Sequence, residues 1–474
     1  MRRPQPWLVV VLAGAAVGAL FAAISTYDFV QHLDRQVHNL HCSFIPGVSH
    51  GAGESGCQVA MMSPYSSVLR THVWGGVPIA LAALSVFAFL VFYALDLAVT
   101  RRKDDPRATG FLALATLLPA LASAVMLVIS LEKLGTTCKL CVGVYVASAT
   151  CLIGGIGAWR RARHGAGGTE PDARPERHDR HDRHGRRDRH SEEPAFVGTA
   201  KTGSQARLVA VGVPTGAASA GFLAAMFVTG VAFVAVPVVL YLALAPDHAR
   251  FIGTCEGLPH PTDSYGVMVR IERAAPTGAQ NAAPAIEVLD PLCPACRGFE
   301  QRLASSGLGP RLDRKAVLFP LDNTCNWMVT EATHPGACTV SEAVLCAGDK
   351  APDVIAWAFE EQDRIRKEAA ADPSAAARIV KQRFPELAAC VGSPDARARL
   401  NKSMRWIVAN GIRVVTPQVF IGNVKLCDED VDLGLEYTLS NMLDRQARGA
   451  LTVTPLEKAP PPGAPAAKPH GGTP

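Results

Sequence analysis

Apolar and polar positions are distributed unevenly along this chain. Five stretches run almost without charge, at about 8–25, 76–98, 109–131, 139–159 and 219–245. Each is close to the roughly 20 residues a helix needs to cross a bilayer, which predicts five spans. Two later regions change period. Residues 284–300, PAIEVLDPLCPACRGFE, begin as an alternating apolar run through Ile286 and Val288 and continue as a helical pattern, while 325–412 is mostly helical. The tail 455–474 holds seven prolines and no apolar periodicity, so disorder is expected there.

Charge orients the spans. With the N-terminus inside, the inner segments 99–108 and 160–206 carry Arg101, Arg102, Lys103 and Arg107, and then ten Arg and one Lys. The outer loops 26–75 and 132–138 hold only Arg35, Arg70 and Lys133. This is the positive-inside asymmetry at every crossing, and an odd number of spans puts everything from about 249 onward outside. The first stretch, preceded by Arg2 and Arg3, also resembles a cleavable signal peptide, but its retention fits the later loops. The expected organisation is 1–159 as a four-helix membrane domain, 160–206 as a cytoplasmic linker, 207–248 as a fifth span, 249–449 as an outer domain and 450–474 as a tail.

At 474 residues there is room for about three domains. A hydrophobic fraction of 49% and a mean hydropathy of +0.16 fit a lipid bilayer as partner. The net charge of +5 comes without a basic patch interleaved with aromatics, so nucleic acid is not an expected partner. The linker carries five histidines from His164 to His190; a metal could bind there, but a solvated cationic tether explains the same composition.

Thirteen cysteines carry the candidate chemistry, and no metal is expected. Cys42 and Cys57 fall in the first outer loop, and Cys138-Lys139-Leu140-Cys141 opens the fourth span on the outer side, where disulfides persist. A helix N-terminus favours a thiolate, and this spacing lets the two sulfurs meet within one turn. Two buried core cysteines are the alternative. Cys293-Pro294-Ala295-Cys296 ends a strand and starts a helix, which makes Cys293 the accessible nucleophile and Cys296 the resolving thiol. Cys255, Cys325, Cys338, Cys346, Cys390 and Cys427 allow up to three structural bridges in fifteen connectivities, with nothing to choose among them.

The strings TTCKLCVGVYVAS and CQVAMMSPYSSV, set among four spans over about 8–159, resemble the vitamin K epoxide reductase family and its bacterial homologues. The resemblance implies a four-helix bundle that holds a quinone, of ubiquinone or menaquinone type, against Cys141. It implies that Cys138 exchanges with the loop pair Cys42–Cys57, that Ser63 sits on a short helix capping the pocket, and that Tyr145 is a candidate quinone partner. The insert GVSHGAGESG departs from the family's closer loop pairing, and a static disulfide is the alternative for Cys42–Cys57. Thr71, His72 and Trp74 are near where some members place a polar residue, but nothing selects one.

Strand, Cys-x-x-Cys and helix, followed much later by VVTPQVFIGN, resemble the DsbA-like and thioredoxin families over about 280–448. The resemblance implies a thioredoxin-like α/β domain outside the cytoplasm, with Thr416-Pro417 as the cis-proline loop that binds an extended peptide; an ordinary edge-strand proline is the alternative. Together the two resemblances describe an inner-membrane enzyme that oxidises reduced exported proteins. Electrons would pass from Cys293–Cys296 through Cys42–Cys57 to Cys138–Cys141 and a quinone. A vitamin K-type quinone or epoxide reductase and a non-catalytic redox sensor remain rivals; a disulfide isomerase would have to stay reduced, which conflicts with a quinone acceptor.

Overall fold

In a computed structural model of the chain, the described residues are 5–32, 60–100, 102–135, 137–166, 218–272 and 282–453. Cys42 and Cys57, nearly all of the 160–206 linker and most of the tail lie outside them.

Among the described residues, five helices are long and apolar enough to cross a membrane. They are α1 (Pro6–His32), α2 (Ile79–Val99), α3 (Pro106–Glu132), α4 (Lys139–Ala166) and α5 (Ala220–Leu244). Helix α4 runs on past 159 to Ala166, and α1 and α2 differ from their expected bounds for local reasons. Helix α1 continues past residue 25 through polar residues, with Thr26 Oγ1 donating to the Ala22 carbonyl at 2.8 Å. Helix α2 starts at Ile79 because Val77–Pro78 (β2) pairs antiparallel with Ser67–Val68 (β1) just before it. Gly75 and Gly76, at φ +73° and +74°, make the turn into β2.

Two compact units divide the chain. The first comprises Met1–Gly18, Val86–Ala124 and Tyr145–Phe233. It is a helix bundle packed through small residues, the usual device where lipid removes the hydrophobic drive for association. Gly14 lies against Thr150 and Cys151, and Gly154 against Val11. Ser123 donates to Ser148 at 2.9 Å, and Phe233 of α5 meets Phe89 of α2 edge to face.

The second unit comprises Ala19–Ser85, Val125–Val144 and Val234–Pro474. It contains a five-stranded sheet whose first strand β3 (Val269–Arg270) is followed by β4 (Ala283–Leu289), α6 (Pro294–Ser306) and β5 (Leu312–Leu318). The helices α7 (Ala337–Ala347), α8 (Ala351–Ala371), α9 (Ala375–Arg383) and α10 (Pro394–Ala409) come next. Strands β6 (Gln418–Ile421) and β7 (Val424–Lys425) and helix α11 (Leu435–Ala447) complete the domain. The spatial order is β3-β5-β4-β6-β7, with β4 and β5 parallel and the other pairs antiparallel. Strand β4 is central and almost wholly buried, hence its near-continuous apolar run.

One core joins Ile286 and Val288 to the helices α7–α10, with Val340, Val344, Met404 and Trp406 among its members. Another joins Ala283 and Ala285 to α6 and α11 through Phe299, Leu303, Leu439 and Met442. Three disulfides pin this domain: Cys255–Cys427, Cys325–Cys338 and Cys346–Cys390.

Candidate functional site

Strand β4 points at the N-terminus of α6, and Cys293 occupies the cap between them with extended backbone (φ −80°, ψ 122°). Pro294 is the first residue of the helix, where its missing N–H costs nothing. Cys293 and Cys296 are both thiols and both buried. Opposite them, Thr416-Pro417 is a cis peptide, and the Cys293 Sγ donates to the Thr416 carbonyl at 3.5 Å. The fold thus brings Cys293, Cys296, Thr416 and Pro417 together from segments about 120 residues apart.

The Cys293 pKa is lowered to about 6, first by the hydrogen bond with Cys296 and then, against the cost of burial, by Thr416. Cys296 moves the other way, because complete burial and the neighbouring sulfur both disfavour its charge. The pair is therefore polarised into one attacking and one resolving thiol.

Beneath the pair lies a carboxylate that no motif singles out. Asp290 is fully buried; its Oδ1 accepts the Leu292 N–H at 2.8 Å. Its Oδ2 accepts the Leu321 N–H at 2.8 Å and meets His334 Nδ1 at 2.6 Å. Burial lowers the His334 pKa, but the hydrogen bond and charge of Asp290 outweigh it, and the net shift is upward. His334 is 41 positions from Cys293, so no local motif could reveal it. A second buried acid, Glu287, meets Arg314 at 2.7 Å, and Arg314 also bonds Glu300. Burial pushes Glu287 up to about 6 against the opposing charge of Arg314.

The other Cys-x-x-Cys stands at the start of α4. The Cys141 backbone N–H donates to Cys138 Sγ at 3.4 Å, so the first turn directs a dipole at that sulfur. Cys138 and Leu140 form a small apolar cluster with Phe21, Ile24, Ala60, Met61 and Cys141. A Cβ at Gly143 would stand 2.7 Å from the Phe21 ring, so glycine there lets α4 approach α1 closely. Ser63 is buried at the end of a short turn, its Oγ donating to the Ala60 carbonyl at 2.7 Å. Tyr145 lies one turn beyond Cys141 on α4 and is half-buried.

Arg70 braces this cap. Its Nε donates to Ser67 Oγ at 2.8 Å, one terminal nitrogen to the Ser63 carbonyl at 3.0 Å, and the other to Glu436 of α11 at 3.3 Å. Of the three polar candidates nearby, Thr71 and His72 are exposed and bond each other, whereas Trp74 is buried and reaches Asp430.

Residues 9–155, just under a third of the chain, match the model of the Vitamin K epoxide reductase family. No curated protein and no solved structure matches the chain. The match and the five apolar helices make this a membrane protein, and the family is one of quinone-linked membrane oxidoreductases.

Proposed function

We propose, from the family match over 9–155 and the two Cys-x-x-Cys sites, that the chain is a quinone-dependent thiol–disulfide oxidoreductase that forms disulfides in exported proteins. The observation that carries this is the polarised pair Cys293–Cys296 facing the Thr416 carbonyl beside a cis proline. A parallel β-α-β unit, two further antiparallel strands and a closing helix, with four helices inserted before β6, support a thioredoxin-like, DsbA-like domain over 249–449.

In the forward direction a substrate thiolate attacks the Cys293–Cys296 disulfide at Cys293. Cys293 then holds a mixed disulfide, Cys296 leaves as a thiolate, and the second substrate thiol displaces Cys293 to close the substrate disulfide. The reduced outer pair attacks Cys42–Cys57 in the same way. That loop pair reduces Cys138–Cys141, with Cys138 as the exchanging sulfur and Cys141 facing the acceptor. Each exchange moves two electrons, leaving a disulfide in the upstream pair and a dithiol in the downstream one.

The apolar surroundings of Cys138 and Cys141 fit a quinone ring: Phe21, Ile24 and Met61 would hold its faces, with Ser63 and Tyr145 as polar candidates. A ubiquinone or menaquinone supplies a two-electron, two-proton acceptor there. Cys138 is buried here and Cys141 partly exposed, so exchange with the loop pair requires Cys138 to become reachable.

The N-terminus is assigned to the cytoplasm and the outer domain to the periplasmic or extracytoplasmic side of the inner membrane. The contacts of Arg70 with Glu436 and of Trp74 with Asp430 support this. They fit the loop after the first span and the domain after the fifth lying on one side, as the four spans between them would place them.

The test uses the purified full chain, a reduced unfolded protein and a soluble quinone, with thiols and quinone both followed. Wild type should reduce about one quinone per disulfide formed, and Cys141→Ala and Cys293→Ala should each abolish that coupling. Thiol oxidation independent of quinone, or quinone reduction indifferent to Cys141, would refute the relay and favour a redox sensor.

A further inference from the structure

Asp290 sits where a negative charge is least welcome. Its backbone carbonyl accepts the Cys293 N–H at 3.1 Å, its backbone N–H bonds the Cys296 sulfur, and its carboxylate acts electrostatically against a thiolate at either cysteine. A domain that needs Cys293 ionised has nevertheless placed a fully buried carboxylate three residues before it.

The counterweight comes from the loop between β5 and α7. His334 Nδ1 stands 2.6 Å from Asp290 Oδ2, and both side chains are almost entirely buried. The loop is held to seat it. The His334 backbone N–H donates to the Leu321 carbonyl at 3.0 Å, and the Asn326 amide donates to the Pro320 carbonyl at 2.8 Å. Asp322 accepts the Gly336 N–H at 2.9 Å, and the Cys325–Cys338 bridge closes the base. Three charged or titratable groups face the imidazole: Asp290 from the β4–α6 turn, the Cys293 sulfur from the cap of α6, and Arg366 from α8.

We infer that His334 is a positioning residue of the outer Cys-x-x-Cys: as an imidazolium locked on Asp290, it cancels the carboxylate beside both sulfurs and so keeps Cys293 available as a thiolate. Without it, the uncompensated buried charge opposes ionisation of Cys293 directly. The net charge of the pair is what matters, so removing both partners should do little harm. This inference rests on Cys293 being the attacking thiol of the proposed function.

The experiment measures alkylation of Cys293 against pH in the full chain by peptide mass spectrometry, alongside its reduction potential against glutathione. His334→Gln should lower the alkylation rate at pH 6.5 roughly threefold, the effect of about one pKa unit on a thiol that titrates near 6, and make the potential more negative. Asp290→Asn, and Asp290→Asn with His334→Gln, should stay within about twofold of wild type, since both leave the site neutral. A His334→Gln chain that alkylates like wild type, or a double variant as slow as His334→Gln, overturns the inference.

A second readout needs no variant: histidines labelled with carbon-13 are titrated by NMR in the wild-type chain with the outer pair reduced and oxidised. One histidine should titrate at higher pH in the reduced form, where the Cys293 charge faces it; identical titrations overturn the inference. An ordinary thiol titration of Cys293 in wild type, near 8.5, would instead refute the proposed function itself.

Discussion

The indole Nε1 of Trp74 donates to Oδ1 of Asp430 at 2.6 Å, a buried hydrogen bond between residues 356 positions apart. Trp74 also stacks on His248, ring centroids 4.6 Å apart, and a Cβ at Gly434 would clash with the indole nitrogen. With the bond from Arg70 to Glu436, this fastens the cap over Cys138 to the sheet domain. Gly434→Ala should therefore separate the two sites without touching either. We expect quinone reduction driven by a protein dithiol to fall about tenfold, the scale of one lost buried hydrogen bond. Reduction of the outer pair by glutathione should be unchanged. Equal losses in both assays would assign Gly434 to folding alone.

Cys293 should alkylate with a half-point near pH 6, the value to which Cys296 and Thr416 lower it. The sign follows from linkage. A depressed acid stabilises the reduced, folded form fully above the ordinary thiol range, and that stabilisation is lost as pH falls through about 6. The glutathione equilibrium should thus shift toward the disulfide on acidification across that window.

Removing the Cys325–Cys338 bridge with paired alanines should cost about 3 kcal/mol, the chain-entropy value for a loop of its length. Thermal unfolding of the outer domain, followed with and without a reductant, provides the measurement. Because this loop seats His334, the same variant should also slow Cys293 alkylation at pH 6.5.

Arg314 holds two carboxylates at once, Glu287 and Glu300, and is itself buried. Arg314→Met should destabilise by about 3–5 kcal/mol, since it strands a buried charge. The loss should grow as pH rises, because Glu287 unpaired must either bind a proton or stay charged without a partner. Denaturant midpoints at two pH values, one either side of 6, test the sign.

The membrane half was legible because lipid imposes a single requirement, length without charge, which hydropathy reads directly. Its errors fall at the ends, where Thr26 bonds back to Ala22 and Val77–Pro78 pairs with Ser67–Val68; these are local effects that an average conceals. Cys293 and Pro417 were visible because each sits in a short motif. Asp290, His334, Arg70 and Trp74 were not selected, since each acquires its role from a partner brought near only by folding. The pairing of the six outer cysteines was closed to the sequence for the same reason.

Cys255 and Cys427 are bonded beside β7 although 172 positions apart, and Cys255 follows soon after the fifth apolar helix. Their bond is a covalent short circuit. Tension on that helix reaches the far side of the sheet through two sulfurs before it can peel β3 from β5. A single protease cut anywhere between them leaves both fragments joined, so the nicked chain runs as one species until a reductant is added.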